Sequence, residues 1–158
     1  MCGIVGIAAR KNVVPLLIDG LKALEYRGYD SAGLALLTDD GLRRLRTPGK
    51  VRELQALYDS APIAAETGIA HTRWATHGVP NERNAHPHTS RERVSVVHNG
   101  IIENHDALRA ELIADGYTFD SDTDTEVIAH LIEHFLAKDL GLFSSVQAAV
   151  SRLEGAYE

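Results

Sequence analysis

Cys2 runs without a break into Gly3-Ile4-Val5-Gly6-Ile7-Ala8, a short apolar run, β-branched in part, whose glycines let another backbone approach closely. A chain that begins this way threads its first residues into the core as a buried strand, with the thiol at the strand's leading end. The run has no basic region ahead of it and is closed by Arg10 and Lys11, which is wrong for a secretion signal and too short for a membrane span.

The remaining elements follow from periodicity and turn chemistry. Asn12 is placed to cap a helix whose apolar positions Val13, Leu17, Leu21 and Leu24 repeat every 3.6 residues, ending near Glu25. Residues 33–38 and 42–47 flank Asp39-Asp40-Gly41 and predict a hairpin. Val51, Leu54 and Leu57 mark a short helix, and residues 67–72 and 94–98 read as strands. The irregular stretch between those strands is long enough to be a functional loop. Leu108 and Leu112 place a helix before Gly116, which suits a left-handed cap. Thr123 and Glu126 have the spacing of a capping box, opening a helix with Val127, Leu131 and Phe135 on one face. Val146, Ala149 and Leu153 give a last helix, and residues 155–158 look like the onset of another strand.

A length of 158 residues with 44% hydrophobic and 24% charged residues describes one ordinary globular domain or part of one. The net charge of −6 disfavours a nucleic-acid partner, which needs clustered Lys and Arg. Arg43, Arg44 and Arg46 alternate with Leu42 and Leu45 as the solvated side of a strand does. A single cysteine forms no internal disulfide, so the expected setting is cytoplasmic.

Removal of Met1 leaves a thiol and an α-amine on one residue, and in model peptides these groups titrate within about one unit of each other. That is a nucleophile joined to its own base. Read alone, Cys2 is equally a small hydrophobe that happens to follow the start methionine. Acyl transfer from an amide also needs donors for the developing oxyanion, and Asn99 with Gly100 supplies a side-chain amide and a backbone N–H. The same Asn-Gly pair is a strong hairpin signal. An amino-acid substrate needs a planar cation and an anion, for which Arg73 and Asp124 are the choices. Asp124 falls at a helix start, where the dipole favours negative charge, and simple helix stabilisation is the other reading.

Five segments stand in order: Cys2-Gly3-Ile4-Val5-Gly6, residues 26–33, residues 71–78, His98-Asn99-Gly100 and residues 121–126. Together they resemble the glutaminase domains of the class II glutamine amidotransferases, and within that class those of glutamine:fructose-6-phosphate amidotransferases. The resemblance covers essentially the whole chain. It implies an α+β fold of the N-terminal-nucleophile hydrolase type, a four-layer αββα sandwich, with residues 1–158 a glutaminase domain incomplete at its C-terminal end and the sugar isomerase domains absent. It implies hydrolysis of L-glutamine by Cys2, an oxyanion held by Asn99 and Gly100, and Arg73, Thr76, His77 and Asp124 binding the amino-acid end of the substrate. Arg27 beside the nucleophile and Trp74 at the ammonia passage are implied as supporting residues. No cofactor is expected. The partner would be an isomerase domain that binds fructose 6-phosphate, in a full-length homodimer, with neither nucleic acid nor membrane involved.

Two other readings remain at this point. His130-Leu131-Ile132-Glu133-His134 matches the H-x-x-E-H pattern of a zinc hydrolase, although its polar residues fall off the apolar stripe and read as a solvated helix flank. The chain could also be a glutamine-binding module without turnover.

Overall fold

The computed structural model describes residues 2–74 and 79–157. Its elements, in chain order, begin with β1 (Gly3–Ala8), α1 (Val14–Leu24), a 3-10 turn at Glu25–Arg27, β2 (Ser31–Thr38), β3 (Gly41–Pro48), α2 (Val51–Ser60) and β4 (Thr67–Arg73). There follow β5 (His88–Ser90), β6 (Val94–Val96), β7 (Gly100–Ile102), α3 (His105–Ala114), α4 (Thr125–Leu136), α5 (Leu142–Val150) and β8 (Gly155–Tyr157). The first four strands form one antiparallel sheet in the order β1-β4-β2-β3. β5 pairs with β6, and β7 with β8.

Strand alternation gives the large sheet two chemically different faces. Val5, Ile7, Ala32, Leu34, Leu36 and Ala70 share one face and pack with Val14, Leu17, Ile18 and Leu21 of α1 and Val51 and Leu54 of α2. Each large aliphatic side chain buried there contributes about 1.5–3 kcal/mol of apolar transfer. On the other face the register sets Ile4, His71, Gly33 and Arg46 side by side in one row. Residues 85–88 lie against this row. Arg46 Nη1 donates to Ala85 O at 3.0 Å, Arg44 Nη1 donates to Pro87 O at 3.4 Å, and the rings of His71 and His86 stack at 4.2 Å.

A Cβ on Gly33 would lie 2.1 Å from His86 O, so glycine is what lets this segment, with its cis bond to Pro87, sit directly on β2. Beyond it, Val94, Ile102, Leu108, Leu112, Val127, Leu131 and Ala149 close a second apolar core among β6, β7 and α3–α5. Helices, sheet, small strand pairs and helices thus stack as the expected αββα layers. Among the described residues, no helix is long and apolar enough to cross a membrane.

Several local expectations are corrected. Asn99-Gly100 is not a hairpin turn, because β6 pairs with β5 while β7 pairs with β8. Gly100 has φ of 135°, and a Cβ there would meet Ala156 O at 2.3 Å. Its glycine answers to a strand far along the chain, not to a tight turn. The stretch read as loop contains β5. Arg44 and Arg46 are not merely a solvated flank, since both clamp backbone carbonyls of the segment laid over the sheet. Thr123 does not cap α4. Asp124 is the N-cap residue, and Glu126 instead accepts from Asp120 N, Ser121 N and Ser121 Oγ at 2.8, 2.7 and 2.6 Å.

Candidate active site

β1 carries Cys2 to the end of the large sheet beside Arg73, because Gly3 pairs with Thr72 and its N–H donates to Thr72 Oγ1 at 3.1 Å. Trp74 N–H donates to Cys2 Sγ at 3.1 Å, which fixes where the sulfur points. From the other layer, Asn99 Nδ2 reaches Cys2 O at 3.5 Å. The Asn99 Oδ1 atom accepts from His71 Nε2 at 3.0 Å, and the same ring nitrogen lies 3.2 Å from His98 O.

The opposite wall is built from the start of α4. Asp124 Oδ2 accepts from Ile102 N at 2.8 Å, which ties the carboxylate to β7. Arg109 Nη2 donates to Thr123 O at 2.9 Å and Nη1 to Ser121 O at 3.2 Å, holding the approach to the helix. Thr125 Oγ1 bridges His86 Nε2 at 2.9 Å and His98 Nδ1 at 2.8 Å. Cys2, Arg73, Trp74, Gly100 and Asp124 line one cleft, with His86, His98, Thr123 and Thr125 behind them. Arg73 lies 4.0 Å from Asp30 Oδ1, and Asp30 N–H donates to Arg73 O at 2.7 Å.

Burial makes the histidines of this seam electrically silent. It pushes His71 down to about 4 and His88 to about 3, holds His86 well below its ordinary value and lowers His98 against the opposing pull of Asp124. At neutral pH the charged residues lining the cleft, among those described, are Arg73 and Asp124. A small zwitterion with one anionic and one cationic end matches that pair.

Cys2 also borders a second, wider groove with Arg27, Trp74, Asn99, Ile101 and Tyr157. Trp74 is 56% exposed, and its ring rests on Gly28, where a Cβ would lie 2.5 Å from Trp74 Cε3. The nucleophile candidate therefore stands between two openings. Trp74, like Cys2 and Gly100, borders both, whereas Arg27 lines only the wider groove.

Of the residues singled out from sequence, Cys2, Arg73, Trp74, Gly100 and Asp124 share the cleft, and Asn99 touches Cys2 from beside it. Thr76 and His77 lie outside the described residues. His71, His86, His98 and Thr125 were not assigned roles by sequence reasoning; the available signal was His71 two positions before Arg73 on one strand face. The metal pattern of α4 does not assemble, and its residues are not a solvated flank. His130 is 5% and Glu133 1% exposed. Ser90 Oγ pairs with His130 Nδ1 at 2.7 Å, Tyr117 Oη and Arg93 Nη1 donate to Glu133 at 2.6 and 2.9 Å, and His134 pairs with Asp115 at 3.6 Å. Among the described residues no three His, Cys, Asp or Glu side chains are grouped to hold a metal ion.

A family model described as a glutamine amidotransferase domain matches residues 71–158. Curated relatives include the glutamine–fructose-6-phosphate aminotransferase (isomerizing) of Shewanella oneidensis, 59% identical over 157 residues, or 99% of this chain and 26% of that protein. The enzyme of the same name from Pseudomonas putida is 61% identical over 158 residues with the same coverage. The chain thus spans about a quarter of the length of the curated relatives it matches. Among solved structures, the glutamine phosphoribosylpyrophosphate amidotransferase of B. subtilis complexed with ADP and GMP superposes with a TM-score of 0.83 at 28% identity, covering 99% of this chain and 34% of that one.

Proposed function

This chain belongs to the glutamine amidotransferase family, and we propose that it hydrolyses L-glutamine to glutamate and ammonia with Cys2 as the nucleophile. One observation carries the reading: Cys2, Arg73, Gly100 and Asp124, distant in sequence, line a single cleft whose charges match an amino acid. With Met1 removed, the α-amine takes the proton of the Cys2 thiol, and sulfur attacks the side-chain amide carbon of glutamine. The carbonyl oxygen becomes an oxyanion that accepts from Asn99 Nδ2 and Gly100 N–H. The C–N bond then breaks, and the α-ammonium returns its proton to the departing nitrogen. Ammonia and a γ-glutamyl thioester result. Water, deprotonated by the α-amine, attacks the thioester and releases glutamate and the thiol. Arg73 holds the substrate carboxylate and Asp124 its ammonium group, with Thr76 and His77 supporting the same end.

In the longer protein, the ammonia formed here serves a second unit that binds fructose 6-phosphate. The names of the relatives support that assignment. Arg27 and Trp74 then line the exit, since Arg27 borders the wider groove and Trp74 stands between that groove and the cleft. The family resemblance is the support for a homodimeric enzyme, and the single cysteine for a cytoplasmic one. The test is release of ammonia and glutamate by Met1-free chain, by Cys2→Ala and by a form that keeps Met1. Cys2→Ala is expected to lose about 10³-fold or more, and the Met1-retaining form to lose its base. Equal rates in all three would remove the proposal's basis, and saturable binding without ammonia release would leave only a binding module.

A further inference from the structure

We propose that His71 is a positioning residue for Asn99, fixing the amide so that its NH2 and not its oxygen faces the nucleophile. The inference rests on the glutaminase reading for its catalytic consequence, but its geometry stands apart from it. His71 Nε2 lies 3.2 Å from His98 O and 3.0 Å from Asn99 Oδ1. A backbone carbonyl only accepts, so Nε2 must carry the ring proton. The Asn99 atom sharing that proton must then be oxygen, because an NH2 there would set donor against donor. The rest of the amide follows: Nδ2 is turned to Cys2, 3.5 Å from its carbonyl oxygen. Released from this tie, the amide could turn over and present its oxygen to the reacting carbon, where it would repel an oxyanion.

The surroundings hold the ring in that state. His71 is fully buried and stacks on His86 at 4.2 Å with 28° between the planes. Its Nδ1 is buried without a hydrogen-bond partner, as suits a proton-free nitrogen and would not suit an N–H. Burial keeps the ring neutral at pH 7. His71 sits on β4 two residues before Arg73, on the same face. One strand therefore carries both a substrate-binding candidate and the residue that aims the oxyanion donor across the seam.

The test compares the whole chain with His71→Gln, which keeps a donor at the Nε position, and His71→Leu, which does not. In the unaltered chain at pH 7 the imidazole 15N spectrum should show a protonated Nε2 and a bare Nδ1, and the Asn99 NH2 signals should move in His71→Leu more than in His71→Gln. His71→Leu should lower kcat about tenfold with KM nearly unchanged, a fraction of the factor typical for losing an oxyanion donor outright. His71→Gln should restore most of it. Because His71 acts through Asn99, His71→Leu should cost nothing further in an Asn99→Ala background. A proton on Nδ1, equal losses in both backgrounds, or His71→Gln as impaired as His71→Leu would each overturn the proposal. The spectrum of the unaltered chain decides the orientation even where His71→Leu fails to fold. A chain inert toward glutamine would sink the function proposed above while leaving that spectrum to judge the tie.

Discussion

On one face of the large sheet Leu17, Leu34 and Leu36 are buried among apolar neighbours, and on the other His71, His86 and His88 are buried just as deeply among polar ones. The first face is what burial rewards: removing aliphatic surface from water stabilises the fold with no partner to find. The second runs against that preference, since a buried polar group costs free energy unless it is hydrogen-bonded. It holds together through Thr123, Thr125 and Asn99, and still leaves Nδ1 of His71, Nδ1 of His86 and Nε2 of His98 without partners. The comparison teaches where stability and chemistry are separated in this molecule. The helix-facing side supports the sheet, and the seam spends part of that support to hold Cys2, Asn99, Arg73 and Asp124 in place.

The sharpest break of the comparison is Leu34→Ala on the apolar face. It should cost about 2–5 kcal/mol in denaturant unfolding, while the KM for glutamine stays unchanged in the molecules that remain folded. A KM that rises with the loss of stability would show that the two faces are not independent. The next effect belongs to the seam. In the unfolded chain its histidines protonate near 6.5, but in the fold His71 does so only near 4 and His88 near 3. Through that window the unfolded state binds more protons, so stability is complete above pH 6.5 and drains as the pH falls, by about 1.4 kcal/mol per unit for each such histidine. Glu126 adds a second step. Burial alone would raise its pKa, but the His130 ring 3.5 Å away, with hydrogen bonds from Ser121 and the Asp120 N–H, outweighs that and holds it at about 2, so its contribution is lost between 4.5 and 2. Unfolding midpoints measured from pH 7.5 to 3 check both, and a flat profile above pH 4.5 would contradict the neutral seam. The smallest effect is expected from Lys22→Ala at the exposed Asp19 pair, within about 0.5 kcal/mol of the unaltered chain.

The two faces also differed in how far the sequence revealed them. The helix-facing side was legible because its signals are local: the 3.6 repeat of Leu17, Leu21 and Leu24, the alternation along β2, and the Asp39-Asp40-Gly41 turn each act within a few residues. The seam is made of long-range contacts. Gly100 is a glycine because of Ala156, Gly33 because of His86, and Glu126 is turned to the Asp120 and Ser121 N–H groups and not to a helix cap. Cys2, Arg73, Asn99 and Asp124 could be named from their chemistry and from the resemblance. The histidines that set their surroundings could not, since neither periodicity nor spacing says that His71, His86 and His98 converge on one threonine and one asparagine.

The claim on which the rest depends is that the sulfur at position 2 meets the side-chain carbon of glutamine. The most direct measurement treats Met1-free chain with a diazoketone analogue of L-glutamine, which loses N2 when a thiol adds to it, and follows intact and peptide mass. The account predicts one added analogue less N2 on the peptide containing Cys2, prevented by excess L-glutamine and absent from Cys2→Ala. Labelling that persists in Cys2→Ala, or that glutamine does not protect, would contradict it.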